Sequence, residues 1–290
     1  MRARRVERLG TLELSQEMLP ELPAEKVRAL LLGAVRQKGL RRALFGGESN
    51  SGPTHPALTL IARVRMLHAL EPSRGWPLWS ESQLSETMEE WLAPALDGAT
   101  TLKAVVQTDT AALLEASLPY DQQASLRSDA PLEMLVPSGA TVKLEYVRGG
   151  DDPLSAAGWD DGVEPVAPLL SRKLQEWFGA RETPVVGPSK APLAVVLQLL
   201  SPAGAPVAVT SDLPSFWSGA YKSVRAELRD KYKRHPWPED PAEAEPTRLT
   251  NRGIAKQADA TAVGGAAAAA KEESQNGRKK KQRGRKNKGG

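Results

Sequence analysis

With 290 residues, 40% of them hydrophobic, and no cysteine, the chain is long enough to bury one large core or two ordinary ones. It is barred from disulfides, thiolate nucleophiles, iron–sulfur clusters and cysteine-built zinc sites. Its three histidines, His55, His68 and His235, fall at the ends of different segments, which leaves little for a metal centre or a His-dependent hydrolase. The net charge of +4 hides an asymmetry: residues 247–290 carry twelve Lys and Arg against three Asp and Glu, so residues 1–246 stand at −5.

The chain opens on Arg8-Leu-Gly-Thr-Leu-Glu-Leu-Ser15, where Leu12 and Leu14 alternate with polar residues as on a half-buried strand. The abrupt start reads as cut from something longer. Pro23 precedes a helical pattern with Val27, Leu30, Leu31 and Val35 on one face, stopped by Gly39. After a Gly/Ser loop at 46–52 comes a helix striped by Leu60, Ile61, Val64 and Leu67. A third helix starts at the capping box Ser80-Glu-Ser-Gln83 and carries Leu84, Met88, Trp91 and Leu92. Shorter helical segments follow near 102–106 and 110–118.

From Leu132 the period becomes two: Leu132, Met134 and Val136, a Pro-Ser-Gly turn, then Val142, Leu144 and Tyr146, the pattern of a hairpin. Residues 149–165, with Gly-Gly-Asp-Asp-Pro and Gly-Trp-Asp-Asp-Gly, read as a polar linker whose carboxylates are solvated. A short helix over 169–178, a strand over 193–200 and another over 207–210 come next. One amphipathic helix runs from Leu213 to Tyr232, striped by Trp217, Tyr221, Val224, Leu228 and Tyr232. Pro236-Trp-Pro238 halts it, and disorder is expected from about Asn251.

The fold class is therefore α+β, a helical N-terminal part followed by a small β-containing domain with a hairpin and a C-terminal amphipathic helix, then a disordered basic tail. The domain boundaries are 1–130, 131–246 and 247–290. No apolar run approaches the ~18 residues of a membrane span, and the first residues lack a signal-peptide stretch. A soluble, intracellular protein is expected, cytoplasmic in the first instance, with organelle and nucleus as alternatives and no membrane partner.

No Gly-Lys-Ser/Thr phosphate loop, GxGxxG, GxSxG or HExxH is present, so catalytic, cofactor and metal residues are all absent from the expectation. What the sequence offers instead is positive charge interleaved with aromatics, the mixture that holds single-stranded nucleic acid by its phosphates and base faces. The candidate contacts are Lys222, Arg225, Arg229, Lys231, Lys233 and Arg234. In the tail they are Arg278, Lys279, Lys280, Lys281, Arg283, Arg285, Lys286 and Lys288. The opposing readings are a core role for Trp217, Tyr221 and Tyr232, an ordinary solvated face for the cations, and a nuclear address for the tail.

Four blocks in fixed order carry a resemblance. They are Glu89-Glu-Trp-Leu-Ala-Pro94, Leu135-Val-Pro-Ser-Gly-Ala-Thr-Val-Lys-Leu-Glu-Tyr146, Lys173-Leu-Gln-Glu-Trp-Phe-Gly179, and Leu199 to Pro206 with Ser215-Phe-Trp217 through His235-Pro-Trp-Pro-Glu-Asp-Pro241, closed by Pro246-Thr-Arg248. Together they resemble the C-terminal region of the HrpB-type ATP-dependent helicases, a branch of the DEAH/RHA helicases, over roughly residues 5–250. Ser218 stands where that pattern has a basic residue and Asp230 where it has glycine.

The resemblance implies the end of a helical-bundle or OB-like region followed by the family's own C-terminal domain, in proteins taken to unwind or remodel RNA with ATP. Neither RecA-like motor domain is in this sequence, so ATP and Mg are expected only for the motor. A truncated or split gene is the corresponding expectation. The favoured reading is an accessory region that contacts RNA and packs on a helicase motor supplied in cis or in trans. A stand-alone RNA or ribonucleoprotein-binding adaptor is the alternative.

Overall fold

The computed structural model describes residues 3–19, 23–46, 54–160 and 162–257. The tail cations from Arg278 to Lys288 therefore lie outside the described residues. Two compact units emerge, and the chain passes between them more than once. The first comprises Met1–Leu135, Thr141–Leu170 and Thr183–Leu197; the second comprises Val136–Ala140, Ser171–Glu182 and Gln198–Gly290. No helix among the described residues is long and apolar enough to cross a membrane.

The first unit begins with an antiparallel ribbon, β1 (Ala3–Leu9) and β2 (Leu12–Leu19), turning at Gly10, whose φ of 62° suits glycine. The expected half-burial is absent: Leu9, Leu12 and Leu14 are 73%, 66% and 59% exposed, because a two-stranded ribbon has no second layer of its own to pack on. Helices α1 (Ala24–Lys38) and α2 (Leu40–Leu44) meet at Gly39, φ 84°. On α1 the buried stripe is Leu31, Leu32 and Val35, whereas Leu30 is exposed.

Helix α3 (Pro56–Leu70) buries nine of its residues from Ala57 to Leu67, so it is the unit's central rod rather than a surface helix. Its N-cap is His55, whose Nδ1 accepts from the Ala57 N–H at 3.2 Å. The predicted third helix is two. α4 (Glu81–Glu86), capped by Ser80 Oγ accepting from the Gln83 N–H, breaks at Thr87 before α5 (Met88–Leu96). Leu84, Met88, Trp91 and Leu92 are all buried, as their spacing predicts.

Helices α6 (Leu102–Val106) and α7 (Thr110–Ser117) lie where expected. α8 (Tyr120–Asp129) is unanticipated, because its ten residues bury only Gln122 and Leu126 and so show no apolar stripe. At its C-terminal end, the buried Arg63 of α3 donates to the carbonyls of Leu126 (2.9 Å) and Ala130 (2.6 Å), satisfying groups that a helix end leaves open.

The hairpin is β3 (Glu133–Leu135) and β4 (Thr141–Lys143), with Met134 opposite Val142 and Gly139 (φ 76°) in the turn. Tyr146, buried, donates its hydroxyl to the Pro131 carbonyl at 2.7 Å. Glu145 then pairs with Leu169, the first residue of β5 (Leu169–Lys173).

The segment between, expected as a solvated linker, is instead packed down. Arg65, 7% exposed, holds the Asp151 carboxylate in a two-point contact (2.8 and 2.7 Å) and the Asp152 carbonyl at 2.9 Å. Arg41 bonds the Asp152 side chain, and Leu154 and Trp159 are buried. Two short strands, β6 (Val185–Val186) and β7 (Leu193–Ala194), pair antiparallel, which places β7 just ahead of β8 (Val196–Leu200).

A three-stranded sheet runs in the order β5, β8, β9 (Pro206–Thr210), with β9 and the later residues of β5 and β8 in the second unit. Where a helix is predicted over 169–178, the chain forms β5 and then a single 3₁₀ turn, Leu174–Trp177. Sheet pairing overrides the local pattern, and the four residues of that turn are buried without any helical stripe. The predicted C-terminal helix is also interrupted, into α9 (Leu213–Ser218) and α10 (Tyr221–Lys231), at Gly219.

Residues 251–257 are helical rather than disordered. The reason is anchorage: Thr247 N–H donates to the Gln175 carbonyl, and Asn251 N–H donates to that of Arg234.

Candidate nucleic-acid interface

Helix α10 carries the candidate cations, and the aromatics beside them face inward. Phe178, Phe216, Trp217 and Tyr221 form one aromatic cluster of edge-on and tilted pairs, with Trp217 5.2 Å from Phe216 and 5.3 Å from Tyr221 between ring centres. Each polar tip is satisfied by main chain. Trp217 Nε1 donates to the Ala180 carbonyl, the Tyr221 hydroxyl to that of Pro238, and Trp237 Nε1 to that of Tyr232. Burial pushes the Tyr221 phenol well above its ordinary range. Trp217, Tyr221 and Trp237 are therefore core, and Tyr232 is half-buried.

Of the six predicted cations in this segment, Lys222, Arg229, Lys231, Lys233 and Arg234 are exposed. Arg225 is not free in the same sense: its Nε donates to the Trp237 carbonyl at 2.9 Å and its guanidinium meets Glu239 at 3.2 Å, tying the Pro-Trp-Pro segment to the helix. At about 100° per residue, Lys222 and Arg229 share one side of α10 while Lys231 points to the opposite side. Lys231 lies 5.7 Å from the Tyr232 ring. The helix thus brings Lys222, Arg225 and Arg229 together and separates them from Lys231; Lys233 and Arg234 follow in the turn after it.

A second arrangement, which the sequence reading missed, lies at Glu176. Its side chain is 3% exposed, and Oε2 accepts from Ser138 Oγ (2.7 Å), Arg172 Nε (3.0 Å) and Arg248 Nε (3.0 Å). A buried carboxylate is stable only when paired and hydrogen-bonded. Here it joins the hairpin turn, β5 and the segment after Pro246. The signal was present in the resemblance blocks, which include Ser138, Glu176 and Arg248, but spacing alone does not show that three distant blocks converge.

The family model described as ATP-dependent helicase C-terminal (HrpB_C) matches residues 91–241, just over half of the chain. The chain belongs to the HrpB helicase C-terminal family. The match runs from within α5 to beyond α10 and takes in the Glu176 carboxylate and the Pro236-Trp-Pro238 segment.

Beyond the family region, the chain is 30% identical over 246 residues to the ATP-dependent RNA helicase HrpB of Escherichia coli (strain K12), covering 84% of this chain and 27% of that protein. It is similar to the crystal structure of the E. coli DExH-box NTPase HrpB at 27% identity and a TM-score of 0.66, over 86% of this chain and 30% of that one. A second crystal structure, of the E. coli DEAH/RHA helicase HrpB, gives 26% identity and a TM-score of 0.57, over 81% and 26%. The HrpB-family chain thus spans between a quarter and a third of the relatives it matches.

Proposed function

We propose that this chain is the C-terminal accessory region of an ATP-dependent RNA helicase, contacting RNA and packing on a RecA-like motor. The observation that carries the RNA part is the cation set on and after α10: six Lys and Arg against two carboxylates within residues 221–235, five of the six exposed, inside a family named for a helicase. The basic tail, with twelve Lys and Arg against three acids over residues 247–290, adds an electrostatic attraction that does not depend on base sequence. The exposed Leu9, Leu12 and Leu14 of the β1–β2 ribbon supply an apolar strip suited to a motor surface. In this reading ATP and Mg²⁺ belong to that motor: the chain has no phosphate loop, and among the described residues no cluster of His, Asp and Glu is fit to hold a metal.

The test is fluorescence anisotropy with a labelled single-stranded RNA. Replacing Lys222, Arg229, Lys233 and Arg234 by alanine should weaken binding by tenfold or more while the thermal midpoint stays near that of the parent, since these side chains are exposed. Unchanged affinity contradicts the proposal.

A further inference from the structure

We infer that Tyr120 and Arg127 of α8 form a second contact for single-stranded nucleic acid, with Tyr120 stacking on a base and Arg127 holding a phosphate. The inference rests on the RNA reading above but concerns a different unit and different residues. Of the fourteen aromatic side chains in the chain, Tyr120 alone is exposed, at 84%. The others, including all those in the cation-rich segment, are buried or half-buried. If bases are to stack on a protein ring here, this is the ring available.

Its surroundings fit that use. Seven residues along a helix bring the direction back to within about 20° of the start, so Tyr120 and Arg127 stand on the same side of α8, ~10 Å apart along the axis. Between them on that side are Ala124, exposed and small, and Gln123, whose side-chain amide is turned back to donate to the Leu118 carbonyl at 2.9 Å. Arg127 is 65% exposed and oriented by Glu115, whose carboxylate it meets at 2.9 Å. The neighbouring acid, Asp121, is partly neutralised by Arg74, 3.8 Å away, which is itself held by Ser125. The result is a shelf with a ring at one end and a guanidinium at the other. A ring and a cation are the two groups that sequence-tolerant single-strand binders combine.

The experiment compares the full chain with Tyr120→Ala, Tyr120→Trp and Arg127→Ala, binding a labelled oligouridine and an abasic strand of the same length. Tyr120→Ala should weaken oligouridine binding about tenfold and leave the abasic strand unchanged. Tyr120→Trp should bind at least as well as the parent, and oligouridine should quench its indole fluorescence. Arg127→Ala should weaken both strands. Equal oligouridine affinity for Tyr120→Ala and the parent overturns the inference and leaves the α10 reading standing, the shelf then being a protein contact or plain surface. Equal losses on both strands also overturn it, since they would show a fold defect rather than stacking. If the parent chain binds neither strand, the RNA reading fails and this inference fails with it.

Discussion

Removing the Glu176 carboxylate should loosen the second unit in a way that can be located. In Glu176→Ala, three hydrogen bonds to one buried oxygen disappear: two from guanidinium groups at 3.0 Å and one from Ser138 at 2.7 Å. Bonds to charged groups contribute about 1.5–3 kcal/mol each when buried. The Arg172 and Arg248 side chains are, however, 32% and 49% exposed and can turn to water, so screening cuts the ion-pair part severely. A net loss of about 3 kcal/mol follows. For a chain of this size that lowers the thermal midpoint by roughly 6–12 °C.

Glu176→Gln keeps an acceptor without the charge and should cost about half as much. Hydrogen exchange then places the effect. Amides from Thr247 to Ile254 should lose protection in both Glu176→Ala and Arg248→Ala, because that segment is anchored through Arg248. A midpoint within 1 °C of the parent, with those amides still protected, would show that the Glu176 carboxylate does not hold this segment.

Asp151→Ala should be comparably damaging in the first unit, about 3 kcal/mol by urea denaturation, because it strands the buried Arg65 guanidinium. In a background with Arg65→Met the same change should cost far less. Stability should also fall on acidification. Burial lowers the His55 imidazole, with Asp109 opposing it, and burial with Lys173 nearby lowers His235. A depressed folded value means the unfolded chain takes up protons first, so stability is complete above the ordinary 6.5 and is lost as pH falls through and below it. Thermal midpoints at pH 7.5 and 5.5 check this. His55→Asn, which caps α3 without titrating, should flatten part of the slope.

The elements with a clean apolar stripe were legible in the sequence, as was the hairpin. Leu60, Ile61, Val64 and Leu67 name α3, and Met134 and Val142 name the paired strands. What escaped notice lacked a local signature. Helix α8 is too polar to show a stripe, although it bears the one exposed aromatic. The strand at 169–173 is specified by its partner β8 rather than by its own pattern. The aspartates at 151 and 152 look solvated until Arg65, more than eighty residues earlier, folds against them.

Among the site residues, the cationic character of α10 could be read directly. That Arg225 bonds the Trp237 carbonyl could not, because the chain reverses only at the turn beyond Tyr232.

Contact with RNA through these cations is tested most directly by measuring how the affinity of the full chain for a single-stranded RNA changes with salt. A steep linear fall of log K against log salt concentration is expected. Each phosphate contact contributes about 0.7 to the slope, so replacing Lys222, Arg229, Lys233 and Arg234 should reduce it by two to three. A salt-independent affinity, or a slope unchanged by the four replacements, would contradict that contact.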